Sequence, residues 1–473
     1  MANKITKISV TNQKISGRGG ITLFLRYVEQ TKFYGVMAFV FSRLGIFNTK
    51  GLQLLQFMKQ MIAFFIDGTD MSISSFDKRK KDEAYAAVLE NSPGEMASSH
   101  QIKRFFKKLS IVPSFVFRKV LHNLFIWRLK ISRPKVIELF IDTMVLDNDD
   151  ALKREGVEPT YKPVKGFQPL HIAWAGVIVD LFFRKGSDHS NHGADYIDIV
   201  RDIVNLIRKK YDQDVPIIIN TDSGFFDQKA FDYFEGELKI HWVCTGVMYP
   251  TVKEDIVDLR KTNKELIDNK EEALFNTYHK DKQVWGYVEF GGKLKSWGRF
   301  RRCVYTELSA NKDGQFLLGF HKSDSIIYTN IGIGPELDKK LKGTNAEEYF
   351  TAEGLIKFSH SKGKGELVHR SLKEFATKEQ LPFEKFGMNM VYYYLLVISH
   401  FLFEAYKADV TAEVVPLKSY PNTFRRQLID FAVKIVSHGR EIVLQVVNTV
   451  YDNLKINDLW SKCQAPPEIL SIC

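Results

Sequence analysis

The sequence predicts a mixed α/β protein: a mixed five-stranded sheet with flanking helices, interrupted by a β-rich insertion and preceded and followed by helical segments. Three observations carry that prediction. Residues 21–130 place apolar side chains at helical spacing. From Val136 the pattern changes to short apolar strand-like runs alternating with helical stretches. Residues 283–331 then form a second β-rich block before helix resumes at about 346 and continues through 410, with a further helical stretch from Asn422 to Leu454. With 473 residues the chain exceeds one ordinary core, and length alone suggests about three structural units. Hydrophobic content of 45% and charged content of 26% suit a globular chain.

The first 130 residues carry most of the charge. They hold 21 Lys and Arg against 8 Asp and Glu, a net +13, whereas the whole chain carries +11. A basic block before a near-neutral body suits a polyanion such as DNA or RNA, although a solvated surface has the same composition. Residues 1–20 are polar and end in Gly17-Arg18-Gly19-Gly20, a loose arm. Gly51 to Phe65 reads as a mostly apolar helix. Ser98 opens a second one, in which Lys103, Arg104, Lys107 and Lys108 alternate with Ile102, Phe105, Phe106 and Leu109. That segment is expected to contact DNA as part of a helix-turn-helix-like unit. The four cysteines, Cys244, Cys303, Cys463 and Cys473, have no Cys-x-x-Cys spacing and form no disulfide framework, which fits a reducing compartment. No cleavable signal pattern is read at the N-terminus. Leu54–Phe65 and Val391–Phe403 are too short or too interrupted to span a bilayer and read as buried helices.

The middle of the chain gives strand, strand, strand, helix, strand, helix, strand. Val136 to Asp142 is an apolar run ending in a carboxylate. Leu170 to Phe183 reads as two strands around a turn at Ala175-Gly176, and Gly193 to Tyr211 as a helix. Val215 to Asp222 is another apolar run ending in a carboxylate. Gln228–Phe234 is a short helix and His241–Thr245 a further strand. Acids closing the first and fourth strands match the layout of an RNase H-like core.

Cleaving a phosphodiester requires an activated oxygen nucleophile and a stabilised leaving oxygen, and two divalent cations supply both. Magnesium takes hard oxygen ligands, and clustered carboxylates repel one another until a cation joins them. Asp142 and Asp222 are therefore the first two candidate ligands. Asp147, Asp149 and Asp150 follow in a loop and read as solvated. The third candidate is Glu366. Lys373 lies seven residues, two helical turns, further on and so shares its face. A solvated Glu/Lys face is the competing reading. His189 and His192 read as exposed loop residues rather than ligands.

At these residues the chain resembles the bacterial insertion-sequence transposases of the Asp-Asp-Glu, RNase H-like superfamily. The resemblance covers roughly Val136 to Lys407. Gly166-Phe167-Gln168-Pro169-Leu170 is similar to a Gly-Tyr-x-Pro-Leu segment of the family, and Thr221-Asp222-Ser223-Gly224-Phe225 to its Asp-Ser-Gly-Phe block. The family's Tyr-x2-Arg-x3-Glu-x6-Lys helix signature falls on Ser359, Lys362, Glu366 and Lys373, so Ser replaces Tyr and Lys replaces Arg. An ammonium is a poorer bidentate phosphate clamp than a guanidinium. Asn389 falls where the family tends to carry an Asn in a buried helix.

The resemblance implies a β-rich insertion between the second Asp and the Glu. It implies that Asp142, Asp222 and Glu366 are catalytic and hold two Mg²⁺ ions, with Mn²⁺ able to substitute, and that Lys362 and Lys373 contact phosphates. Within the insertion, Trp297 is expected to meet a DNA base and Trp285 to pack the local core. The implied activity is cut-and-paste transposition by a Mg-dependent endonuclease and strand transferase. Its partners would be the terminal inverted repeats, target DNA and a second copy of the chain, in the bacterial cytoplasm near the nucleoid and without a membrane. The expected division is 1–130 helical and DNA-binding, 131–253 and 346–410 the two parts of the core, 254–345 the insertion, and 411–473 a C-terminal helical region. Two rival readings are a catalytically impaired, transposase-derived DNA-binding protein and a structure-specific nuclease that does not transpose.

Overall fold

The computed structural model describes residues 4–42, 51–188, 195–280, 283–293, 297–310, 324–361, 363–439 and 441–469. His189, His192 and Lys362 lie outside them. The chain divides into two compact units, each assembled from separate stretches. The first contains Met1–Trp127, Asp147–Val157 and Arg370–Cys473; the second contains Arg128–Leu146 and Glu158–His369.

In the first unit, Ser98 starts α1 (Ser99–Leu109) with a capping box: its hydroxyl accepts from the Gln101 backbone N–H, and the Gln101 side chain accepts from the Ser98 N–H. Ile102, Phe105, Phe106 and Leu109 are buried, and Phe105 stacks on Phe57 with ring centroids 4.9 Å apart. Lys103, Arg104, Lys107 and Lys108 are all exposed. The apolar stripe thus fixes the helix to the core and turns the four cations outward. A short turn ending at Pro113 joins α1 to α2 (Ser114–Ser132) at 98°, an angle typical of helix-turn-helix pairs. In those pairs the second helix usually reads DNA, but α2 is buried along most of its length. The exposed basic element is therefore the first helix.

Phe386–Tyr406 is buried from Val391 to Phe403. Phe386–Thr411 is long and apolar enough to cross a membrane, yet 78% of its most apolar window is buried inside the protein. Asn389 is also buried, and its amide bonds both the N–H and the C=O of Phe383, which caps the loop entering the helix. The helix expected from Asn422 to Leu454 is not formed. Strands Val433–His438 and Glu441–Val446 pair as an antiparallel hairpin, and Ile15–Ser16 adds to its free side. The β-branched run Val433 to Val443 favours extended chain, and Gly439, at φ 61°, makes the reversal. Helical geometry is confined there to Pro421–Ile429 and Asn448–Asn453.

The second unit is built on a nine-stranded sheet. Its strands are β1 (Ile137–Thr143), β2 (Leu170–Trp174), β3 (Val177–Phe182), β4 (Ile217–Thr221), β5 (His241–Thr245), β6 (Asn276–Lys280), β7 (Gln283–Gly292), β8 (Arg301–Ala310) and β9 (Asp324–Thr329). They lie in the order β6-β7-β8-β9-β5-β4-β1-β2-β3. β1 is antiparallel to β2 and parallel to β4, and β4 is parallel to β5. Ala175 and Gly176 both take positive φ, as a two-residue hairpin between β2 and β3 requires. Helices α3 (Asp195–Lys210) and α4 (Gln228–Gly236) make the connections into β4 and β5.

The β-rich insertion does not fold apart from the sheet. β9 pairs antiparallel with β5, Ile327 opposite Thr245, so the insertion lengthens the sheet by four strands. It also contains α5 (Pro250–Asp268), where the sequence shows no clear periodicity; only Val252 and Ile256 of this helix are buried. After β9 come α6 (Ala352–His360) and α7 (Gly363–Ala376), where the sequence predicts continuous helix. The first of these helices ends at His360, with Ser361 as its C-cap.

Candidate active site

The parallel register of β1 and β4 places the first two acids. Leu139 is level with Ile219 and Phe140 with Asn220. Carried two residues further, that register sets Asp142 level with Asp222, on strands about 4.8 Å apart. Asp142 is partly exposed, and its Oδ1 accepts from the Thr143 N–H at 2.7 Å. Asp222 follows β4 in extended backbone, and its Oδ1 accepts from the Gly224 N–H at 2.9 Å, capping the single turn Ser223–Phe225. That turn explains Asp-Ser-Gly-Phe: a short side chain caps it and Phe225 is buried beneath.

Glu366 is exposed in the first turn of α7. The phenol of Tyr161 is pushed above its ordinary value, by partial burial first and then by the negative charges of Asp142, Asp222 and Glu366. Tyr161 sits in the loop before Gly166-Phe167-Gln168, where its N–H reaches Gln168 Oε1 and Lys162 stands over its ring. Sequence reasoning missed Tyr161, because a loop residue carries no periodic signal.

Two histidines, also missed, adjoin Asp142. His171 lies directly across from it, on β2. Its Nδ1 is 3.1 Å from Nε2 of His369, three residues beyond Glu366 on α7. His369 Nδ1 in turn stands 3.8 Å from Asp142 Oδ2. Burial, then His369 and Arg184, push His171 well below the ordinary histidine value, so it is neutral at pH 7.

The donor set consists of hard carboxylate oxygens, the chemistry Mg²⁺ prefers; that ion keeps several waters and takes only one or two protein carboxylates readily. Among the described residues, no three His, Cys, Asp or Glu side chains already close into a ligand cage. The acids fit the ion in their donor chemistry.

The remaining expected residues are more dispersed. Ser359, in the signature's Tyr position, is buried on α6, with its hydroxyl 3.0 Å from that of Thr245 on β5. It serves packing against the sheet. Lys373 belongs to the first unit, where its Nζ pairs with Glu379. Trp297 is buried, with Phe226 and Tyr328 against its ring at 5.7 and 5.3 Å and Arg301 near its face. As placed it is a packing residue and presents no open face to a base. Two cations of the insertion are also structural: Arg301 is buried against Asp232 and Glu235, and Arg302 against Glu289. Trp285 is half-buried beside His360, with ring centroids 5.0 Å apart.

The family model described as Transposase DDE domain group 1 matches residues 1–465. No curated protein matches the chain. Among solved structures, the cryo-EM structure of the piggyBac transposase synaptic complex with hairpin DNA is 12% identical, with a TM-score of 0.38, over 95% of this chain and 83% of that one.

Proposed function

Since the chain belongs to the Transposase DDE domain group 1 family, we propose that it moves an insertion sequence by cut-and-paste transposition, with Asp142, Asp222 and Glu366 as its catalytic acids. The observation that carries this reading is the parallel register of β1 and β4, which brings Asp142 and Asp222 to neighbouring strand ends. The strand order β3-β2-β1-β4-β5 supports it, with one acid near the end of β1 and another just after β4.

Asp142, Asp222 and Glu366 would hold two Mg²⁺ ions, replaceable by Mn²⁺, which when bound lower the cost of negative charge on the attacking and leaving oxygens. The chain's own part would be to present three carboxylates from two strand ends and a helix. Water attacks a phosphodiester at the element's end and frees a 3′ hydroxyl. That hydroxyl then attacks a target phosphodiester. One phosphodiester replaces another in the second step, so no nucleotide hydrolysis is required.

Residues 1–130 would bind the terminal inverted repeats, with Lys103, Arg104, Lys107 and Lys108 of α1 on backbone phosphates. Lys362 and Lys373 would add phosphate contacts, and a second copy would complete the synaptic complex. The reading is tested with purified protein and labelled DNA from the borders of its own coding region. Mg²⁺-dependent nicking at the border is the expected result. Border binding without cleavage in Mg²⁺ or Mn²⁺ would instead favour a DNA-binding descendant, a reading that the buried Ser359 in place of the signature's Tyr supports.

A further inference from the structure

We infer that His369 is a positioning residue: it links Asp142 to His171 and thereby sets the rotation of α7 that aims Glu366 at the aspartates. The inference rests on the catalytic assignment of these acids.

His369 Nδ1 faces Asp142 Oδ2 at 3.8 Å, and its Nε2 meets His171 Nδ1 at 3.1 Å, so one ring bridges the carboxylate and the β2 histidine. His171 is 1% exposed and its backbone is paired across β2 and β1, so it is a fixed anchor. The 3.8 Å separation at the Asp142 end is longer than a hydrogen bond and within ion-pair range.

Helix geometry supplies the second half. Glu366 and His369 are three residues apart and share a face of α7. A ring held against β2 therefore holds Glu366 toward the same sheet edge. Partners that orient metal-binding side chains commonly change metal affinity by about 10- to 100-fold when removed.

The test uses full-length protein and Mn²⁺ alone, with free Mn²⁺ followed by electron paramagnetic resonance and melting temperature measured alongside. His369→Ala is expected to weaken Mn²⁺ binding by about tenfold. His369→Asn, which keeps an amide near the Nδ1 position, should recover part of that loss. Asp142→Asn is the reference variant. If Asp142→Asn weakens Mn²⁺ binding while His369→Ala does not, the inference falls and the catalytic assignment stands. If neither variant changes Mn²⁺ binding, the assignment of Asp142 itself fails and takes the inference with it. Equal losses in His369→Ala and His369→Asn, each with a lowered melting temperature, would show a packing role and overturn the proposal.

Discussion

The Lys373 ammonium lies 2.8 Å from Glu379 Oε2, so the lysine expected to reach a DNA phosphate is held by a carboxylate of its own unit. Glu379 also accepts from the Asp147 N–H at 3.1 Å. Both charged side chains are about one-third exposed, so the pair contributes at most about 1 kcal/mol. DNA can therefore compete for Lys373. Glu379→Gln is expected to tighten binding of border DNA by a few-fold at low salt. Lys373→Ala should weaken it and reduce the slope of log K against log salt by about one. Filter binding across a salt series measures both. No change in slope for Lys373→Ala would remove this lysine from the interface.

The four outward cations of α1 carry a larger expectation. Replacing Lys103, Arg104, Lys107 and Lys108 with Ala should leave the fold intact, because all four are exposed. Every phosphate deprived of its cation should flatten the salt dependence by about 0.9. The combined variant should no longer bind border DNA at physiological salt. Retention of both affinity and slope would show that α1 is an ordinary solvated helix and that the +13 of the first 130 residues acts elsewhere.

Much of the candidate site is legible in the sequence because strands that end in acids announce themselves. Asp142 and Asp222 each close an apolar run, and their level placement follows from the parallel pairing of β1 and β4. The hairpin at Ala175-Gly176 is readable for the same local reason. Other features depend on tertiary context. His171 and His369 are 198 positions apart and meet only when α7 lies against β2. Helix α5 lacks a periodic face because only two of its apolar side chains are buried. The hairpin Val433–Val446 reads as helix because its apolar residues fall at spacings that serve helix or strand equally. The burial of Trp297 also depends on tertiary context, since Arg301 near its ring turns inward to Asp232 and Glu235.

Trp297 accordingly gives a stability prediction. Its ring fills the space between Phe226 and Tyr328, so Trp297→Ala should cost about 3–5 kcal/mol and lower the melting temperature by several degrees. Trp297→Phe should recover much of that loss. Thermal melting decides the matter. An unchanged melting temperature together with defective end processing would return the ring to a role on DNA.

A buried polar cluster in the first unit predicts a pH effect. His400 is fully buried; its Nε2 is 2.9 Å from Ser371 Oγ, Ser371 also meets Glu404, and Lys407 pairs with Glu404. Burial, then Lys407 and Arg425, push His400 from 6.5 down to about 3. The unfolded chain therefore binds a proton between pH 6.5 and about 3 that the folded chain refuses. Stability falls as pH drops through that window, by up to about 1.4 kcal/mol per unit. Glu404 is raised, chiefly by burial, and opposes the trend because its folded form holds a proton more readily. The histidine shift is the larger, so net loss is expected. Melting curves at pH 7.5, 5.5 and 4.5 should converge for His400→Gln and diverge for the wild type. Parallel curves for the two proteins would remove His400 as the cause.

The chemistry itself is tested most cleanly at Asp222. Asp222→Asn keeps the size of the side chain and one oxygen, so the amide still accepts from the Gly224 N–H and still caps the turn at Ser223. What it loses is the negative charge needed to hold a cation beside Asp142. Cleavage of labelled border DNA in Mg²⁺ should drop below detection. Binding should persist or tighten, because one carboxylate fewer repels the phosphates. Mn²⁺ at millimolar concentration should restore little, since charge rather than ligand softness is missing. Asp147→Asn is the matched control. Asp147 belongs to the first unit, where its carboxylate accepts from the Asp149 N–H, so its replacement should leave cleavage unchanged. Undiminished cleavage by Asp222→Asn would overturn the assignment of the acids, whatever its effect on binding.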